Sequence, residues 1–178
     1  GRPWAVIAAP GHDPDAVMLF DARHGLLVTG DALWENGFGV VFPELDGEDA
    51  FDEVAAVLAL IERLPVAAVV PGHGAPFADV PGALARARSR LASWRAAPRK
   101  HARHAAKVML KYHLMEEREQ TLPAVHAWAA ATPLWQRLHA REGRHEAADL
   151  PAWCDGLLAE LVAGGALVRQ GERVLDVG

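Results

Sequence analysis

The chain has 178 residues, of which 51% are hydrophobic and 23% are charged, and its formal net charge at pH 7 is −5. This composition is typical of a soluble globular protein with one large or two small cores, and the lack of any run of 18 or more uncharged apolar residues excludes a membrane-spanning helix. Cys154 is the only cysteine, which excludes an internal disulfide and a cysteine-built zinc finger and is compatible with the cytoplasmic location that we predict.

Charge is distributed unevenly along the chain. Residues 1–81 contain three Lys or Arg and 13 Asp or Glu, whereas residues 82–178 contain 15 and 10 of these. Such a shift indicates two domains with different tasks. We predict a first domain over residues 1–80 and a second over residues 81–178.

The first domain begins with short apolar runs of strand length. We predict strands over residues 4–9, 16–21 and 26–29, joined by turns that are rich in Gly, Pro and Asp. Because these runs are almost wholly apolar instead of alternating, we expect them to be covered on both faces. Residues 34–43 then combine large rings with glycines, and we predict that Trp34, Phe38 and Phe42 line a substrate pocket.

A helix and a further strand complete the first domain. The acidic residues 46–49 are typical of an N-cap and first turn, and they precede a helix over residues 50–64. Apolar residues recur every three or four positions in this helix, so one face packs on the sheet. Pro65 ends the helix, and residues 66–70 are predicted to return to the sheet.

The second domain is mainly helical. Helices are predicted over residues 81–94, 99–119, 122–131, 134–141 and 149–162. Residues 166–168 and 173–177 are then predicted to form a β-hairpin. Several helices followed by a hairpin indicate a small winged-helix-like module.

Three of the apolar runs end in a glycine-bearing turn with one side chain that can bind a metal. His12 follows a Pro-Gly pair, Asp31 follows a Thr-Gly pair, and His73 follows a second Pro-Gly pair. Glycine lets the backbone turn sharply, so the next side chain projects from the strand end. If these ends meet at one sheet edge, two imidazoles and a carboxylate converge, and these are suitable donors for a divalent metal.

In order and placement, Pro-Gly-His12, Thr-Gly-Asp31 and Pro-Gly-His73-Gly resemble the last three metal-ligand motifs of the metallo-β-lactamase-fold hydrolases. The resemblance covers residues 4–78, and the segment behind it resembles the winged-helix-like tail of many members. It implies an α+β protein, the C-terminal half of an αββα sandwich followed by a helical winged-helix-like domain. It also implies that His12 binds one metal, that His73 binds a second, and that Asp31 bridges both as the catalytic carboxylate. The implied cofactor is two zinc ions, with iron or manganese as alternatives.

The family's H-x-H-x-D-H motif, which supplies the other ligands, does not occur in this sequence. We therefore expect the chain to be the C-terminal part of a longer enzyme that hydrolyses an ester, thioester or amide-type bond of a small molecule by a metal-bound hydroxide. This fragment alone is expected to be inactive. With one sheet of the sandwich missing, we expect an exposed apolar face that pairs with a second copy, as a homodimer, or with a co-purifying N-terminal piece.

Two other functions stay open. The first is an RNA-processing nuclease of the same superfamily, in which the basic residues between 86 and 111 hold RNA. A solvated helix face is the favoured explanation of that basic run, so RNA is not the favoured partner. The second is a non-catalytic interaction module whose tail mediates dimerisation. His24 and Cys154 are predicted to be structural.

Overall fold

A computed structural model of the chain describes residues 1, 3–143 and 149–177. The chain divides into two compact units, Gly1–Ala96 and Ala97–Gly178, which we call unit 1 and unit 2. This division falls later than the predicted boundary between residues 80 and 81, because the helix that follows residue 80 packs against a helix of unit 1. The α+β fold class is confirmed, with a sheet region followed by helices.

Unit 1 contains a four-stranded sheet and three helices. Its elements are β1 (Ala5–Ala8), β2 (Val17–Asp21), β3 (Leu26–Gly30), α1 (Phe42–Asp46), α2 (Phe51–Arg63), β4 (Ala68–Pro71) and α3 (Val80–Ala96). The strand order is β1-β2-β3-β4, with the first two pairs antiparallel and the last pair parallel. The predicted strands and long helix are therefore present, whereas the short helix α1 was not predicted.

Only one face of this sheet is covered in the described part of the chain. Met18 and Phe20 of β2 lie in the buried core with the apolar side of α2. Val17 and Leu19 alternate with them and are 52% and 36% exposed. Val6 is paired with Leu19 in the neighbouring strand and is 69% exposed. The expectation that the strands are covered on both faces is therefore wrong, because the helices of unit 1 pack on one side alone.

The N-terminus of α2 is satisfied by a different acid from the predicted one. The acidic stretch 46–49 contributes no side-chain cap, and Ala50 occupies the N-cap position. Glu44 of α1 instead accepts hydrogen bonds on Oε2 from the backbone N–H groups of Ala50, at 3.1 Å, and of Phe51, at 3.2 Å. A carboxylate at this end is stabilising because the first N–H groups of a helix have no partners within it.

In its described residues, unit 2 combines four α-helices with a small antiparallel sheet. Its elements are α4 (Pro98–Glu117), β5 (Glu119–Thr121), α5 (Leu122–Ala131), α6 (Pro133–Arg141), α7 (Leu150–Ala163), β6 (Leu167–Gln170) and β7 (Arg173–Asp176). The strand order is β5-β7-β6. The predicted hairpin is confirmed as β6 and β7, while β5 is too short and polar to be detected from sequence. The winged-helix-like description stays a prediction.

Two further sequence-based expectations concern burial. Cys154 is fully buried in α7, as predicted, and burial raises the pKa of its thiol to about 12. Among the residues that the structure describes, every helix is too short or too polar to cross a lipid bilayer.

Candidate metal centre

The three predicted ligands lie at one end of the unit 1 sheet, just beyond the C-terminal ends of three strands. Strands β1 and β3 are both antiparallel to β2, and β4 is parallel to β3, so β1, β3 and β4 end at the same edge. His12 follows β1, Asp31 follows β3, and His73 follows β4. The topology therefore brings together three side chains that are distant in sequence.

Asp31 is the centre of this group. Its Oδ2 lies 3.3 Å from His12 Nε2, and its Oδ1 lies 3.7 Å from His73 Nε2. Zinc binds imidazole nitrogen and carboxylate oxygen at about 2.0–2.2 Å, which leaves two ligands of a tetrahedral ion about 3.3–3.5 Å apart. The His12–Asp31 separation fits this spacing, and the His73–Asp31 separation is slightly longer.

A backbone contact fixes the orientation of His12. Its Nδ1 lies 2.5 Å from the carbonyl oxygen of Val40. A carbonyl oxygen can only accept, so Nδ1 carries the proton, and in the neutral ring Nε2 presents a lone pair. This lone pair faces the carboxylate of Asp31, so a proton or metal cation between the two acceptors would stabilise the pair. A histidine that ligates a metal commonly donates its other ring N–H to a backbone carbonyl in this way.

Two glycines allow the backbone to approach these side chains closely. A Cβ atom at Gly39 would lie 2.7 Å from His12 Nδ1 and 2.9 Å from Asp31 Cβ. A Cβ atom at Gly72 would lie 2.8 Å from Asp31 Oδ1. All three distances are below ordinary contact, so Asp31 sits in a cradle, defined by Gly39 and Gly72, that any side chain at either position would fill.

Two of the three predicted pocket residues border the group. Trp34 donates its indole N–H to Asp31 Oδ1 at 3.0 Å, and its ring meets His73 edge-on with the centroids 5.2 Å apart. Phe42 meets His12 edge-on at 5.4 Å and is 37% exposed. Trp34 and Phe42 therefore place apolar surface beside the predicted ligands.

Phe38 is buried, unlike the other two rings. It is 1% exposed, and its ring packs edge-on against Trp94 of α3 at a centroid distance of 5.2 Å. It also lines a small cavity beside His12 and Asp31, so its predicted place in the substrate pocket stays a prediction. This ring belongs to the core that supports the site from behind.

The donor set is incomplete. Within residues 1, 3–143 and 149–177, no group of three or more His, Cys, Asp or Glu side chains is arranged to hold a metal ion by itself. Asp31 approaches each histidine, but His73 lies at the longer distance and is half exposed. The nature of the donors, the His12 orientation and the glycine cradle fit a divalent metal, while further ligands are needed to complete its coordination.

His24 lies outside this group and has a structural partner that the sequence did not reveal. Its Nδ1 lies 2.7 Å from Asp21 Oδ2 at the end of β2. Asp21 is 1% exposed, and its hydrogen bond with His24 holds the pKa of its carboxyl below the ordinary value, against the opposing effect of burial. Because β2 runs opposite to β1 and β3, this pair lies at the other edge of the sheet.

Two arginines of α3 also reach the site region, although the sequence indicated only a basic helix face. Arg86 and Arg90 donate hydrogen bonds to backbone carbonyls of the segment that carries Trp34. Their spacing of four residues on one helix face is the only sequence signal. It does not identify carbonyl partners that are more than fifty positions away.

Comparison with known proteins gives a family match for the first part of the chain. Residues 1–73 match the family model described as the metallo-beta-lactamase superfamily. A metallo-beta-lactamase family protein of Thermus thermophilus has 21% identity and a TM-score of 0.46, and the alignment covers 99% of this chain and 50% of that one. A beta-lactamase domain protein of Burkholderia ambifaria has 19% identity and a TM-score of 0.42, with 99% and 48% covered.

The chain thus spans about half of the length of these solved structures. Its family match ends at residue 73 and contains the three strand-end motifs that carry His12, Asp31 and His73. Residues 1–73 of the chain therefore carry its match to the metallo-beta-lactamase superfamily.

Proposed function

We propose that His12, Asp31 and His73 form part of the divalent-metal site of a hydrolase. The intact protein would cleave an ester, thioester or amide-type bond in a small molecule, with two zinc ions as the favoured cofactor and iron or manganese as alternatives. The observation that carries the proposal is the convergence of both histidines on the two oxygens of Asp31.

Asp31 is the central side chain in this proposal, and neighbouring groups orient it and His12. A bound divalent metal supplies water of lowered pKa and polarises the bond that is cleaved. Asp31 presents one oxygen toward each histidine, an arrangement suited to a carboxylate that bridges two cations. The Val40 carbonyl orients His12, and the Trp34 indole restricts rotation of the carboxylate.

Trp34 and Phe42 would form the apolar border of the substrate entrance. Their rings flank opposite imidazoles, His73 and His12 respectively. We therefore propose that they contact an apolar part of the substrate next to the bond that is hydrolysed.

Metal binding provides the first test. We expect the chain to bind Co²⁺ or Zn²⁺, and we expect Asp31→Asn to lower the affinity by on the order of tenfold or more, because the negative charge is lost while the side-chain size is kept. Isothermal titration calorimetry and the visible spectrum of the Co²⁺ form measure this. His24→Gln is the matched control, since His24 lies at the opposite edge, and equal affinities for wild type and Asp31→Asn would contradict the proposal.

Catalysis by this chain alone is expected to be negligible. Two zinc ions need more ligands than two histidines and one aspartate provide, since each is bound by three or four protein ligands in known sites. Hydrolysis of simple ester and thioester substrates by the zinc-loaded chain should therefore not exceed the rate with zinc in buffer. Turnover that disappears in Asp31→Asn would show that the three ligands suffice and that this expectation is wrong.

Within the described residues, no feature favours the RNA-processing alternative or a non-catalytic module that dimerises through its tail. The basic run is largely engaged in ion pairs and hydrogen bonds within each unit, and its partners are acidic side chains or carbonyls: Arg86 with Asp79, Arg88 with Glu62, Arg95 with Asp52, Arg103 with Glu142 and Glu160, Lys107 with Glu160, and Lys111 with Asp176. Cations engaged in this way are less available to the phosphates of a nucleic acid.

A further inference from the structure

Residues 32–41, which we call the site loop, connect Asp31 with α1. The loop carries Trp34, whose indole contacts Asp31, and Val40, whose carbonyl orients His12. Two backbone hydrogen bonds shape it. One runs within the loop from Trp34 N–H to the Gly37 carbonyl at 2.6 Å, and the other runs from Gly39 N–H to the carbonyl of the adjoining Asp31 at 2.9 Å. The conformation of the site loop thus determines where two partners of the metal centre lie.

Two arginines on one face of α3 hold this loop from outside. Arg90 donates from Nη2 to the Asn36 carbonyl at 2.7 Å and from Nη1 to the Phe38 carbonyl at 3.1 Å. Arg86 donates from Nε to the Glu35 carbonyl at 2.7 Å. These carbonyls belong to a turn, so without the arginines they would rely on water for their hydrogen bonds.

The surroundings of Arg90 are shaped to its guanidinium. A Cβ atom at Gly37 would lie 2.6 Å from Arg90 Nη1, so the absence of a side chain there makes room for the contact. The guanidinium also lies over the ring of Trp94 at 5.7 Å, and Trp94 packs on Phe38 of the loop. Burial lowers the pKa of Arg90, as expected for a guanidinium removed from water.

We propose that Arg90 is a positioning residue for the metal centre. Its planar fork holds the carbonyls on both sides of Gly37, and this fixes the site loop so that the Trp34 indole stays on Asp31 and the Val40 carbonyl stays on His12. The link to catalysis rests on the proposed function. The positioning itself is a property of the chain that can be measured without any metal.

The test observes the loop directly in the ¹⁵N-labelled chain. The indole N–H resonance of Trp34 is assigned by its loss in Trp34→Phe, and hydrogen exchange is measured at the Gly37 and Gly39 amides. In Arg90→Lys the charge stays, but a single ammonium cannot reproduce the two-pronged contact. We expect the indole resonance to shift upfield as its bond to Asp31 weakens, and the Gly39 amide to exchange at least several-fold faster.

A matched control lies on the same helix. Arg88 donates from Nη1 and Nη2 to the two carboxylate oxygens of Glu62, a residue of α2 and not of the site loop, so Arg88→Lys should leave the indole resonance and both amides unchanged. Gly37→Ala would also displace the Arg90 guanidinium, but at φ +127° the added methyl group strains the backbone of the site loop by itself. A shift is expected in this variant with or without the Arg90 contact, so Arg90→Lys decides the test.

Metal affinity gives the second readout. We expect Arg90→Lys to weaken Co²⁺ binding by on the order of tenfold, as is common for outer-shell partners, while Arg88→Lys does not. An unchanged Trp34 resonance and unchanged loop exchange in Arg90→Lys would overturn the proposal. If the loop responds but the wild-type chain binds no metal, the positioning role stands and the proposed function fails.

Discussion

His101 is a buried titratable side chain in unit 2. It is 1% exposed on α4, and burial lowers its pKa to about 4, with smaller contributions from the charges of His104 and Arg141. The folded chain therefore excludes a proton that the unfolded chain takes up near pH 6.5. Neutral His101 therefore leaves the free energy of unfolding at its full value above pH 6.5, and this free energy decreases as the pH falls toward 4.

We expect His101→Gln to flatten this dependence. Between pH 7 and pH 4 the wild-type free energy of unfolding should fall by up to about 3 kcal/mol through His101, and the variant should lack this part of the slope because glutamine does not titrate. Urea unfolding at several pH values measures it. His126→Gln is the control, since that histidine is only part-buried and pairs with Asp155; equal slopes for wild type and His101→Gln would refute the assignment.

At the scale of elements, the junction of α1 and α2 depends on Glu44. Replacing it with alanine removes the acceptor of two N–H groups at the start of α2. We expect Glu44→Ala to lower the free energy of unfolding by about 1 kcal/mol, the usual cost of losing a cap. Asp49→Ala should cost far less, because Asp49 is exposed and contributes no cap. If urea unfolding showed a larger loss of stability for Asp49→Ala than for Glu44→Ala, the N-cap that the sequence predicts within residues 46–49 would be correct instead.

The sequence predicts best those features that depend on local pattern. Apolar runs that end in Gly-bearing turns place His12, Asp31 and His73 at strand ends, and the structure brings these three residues together. The period of α2 predicts its buried face. In both cases the residues that carry the signal are close together in the chain, so few alternative arrangements compete.

Other features depend on contacts between distant positions and leave no local trace. Arg90 binds carbonyls of the site loop, and a carbonyl is present at every residue whatever its side chain. Phe38 and Phe42 are equally aromatic, yet one packs on Trp94 and the other on His12, because the loop turns between them. Only the three-dimensional path of the chain separates a core ring from a site ring.

At the scale of the whole molecule, the bare face of the unit 1 sheet is an exposed apolar surface in the part of the chain that the structure describes. Val6, Val17 and Leu19 present exposed side chains on it, on strands whose opposite face is packed in the core. Apolar side chains clustered on neighbouring strands are typical of an interface. This observation supports the expectation of an apolar face that needs a partner.

We expect the purified chain to associate through this face, as a homodimer or with a co-purifying peptide. The double variant Val17→Thr, Leu19→Thr keeps strand-forming side chains but reduces the apolar surface, so it should shift sedimentation toward the monomer. Val168→Thr, at an exposed apolar position of β6 in unit 2, is the control. A wild-type chain that is a monodisperse monomer, with no second peptide in its mass spectrum, would contradict this expectation.

The cradle formed by Gly39 and Gly72 has a consequence for how such a site can diversify. Any larger residue there would collide with His12 or Asp31, so random mutagenesis should recover almost no functional replacements at either glycine. Phe42 is 37% exposed and has no hydrogen bond to Asp31, so it can change size without moving the carboxylate. New substrate specificities would therefore arise by substitutions at exposed positions such as Phe42, while Gly39 and Gly72 stay unchanged.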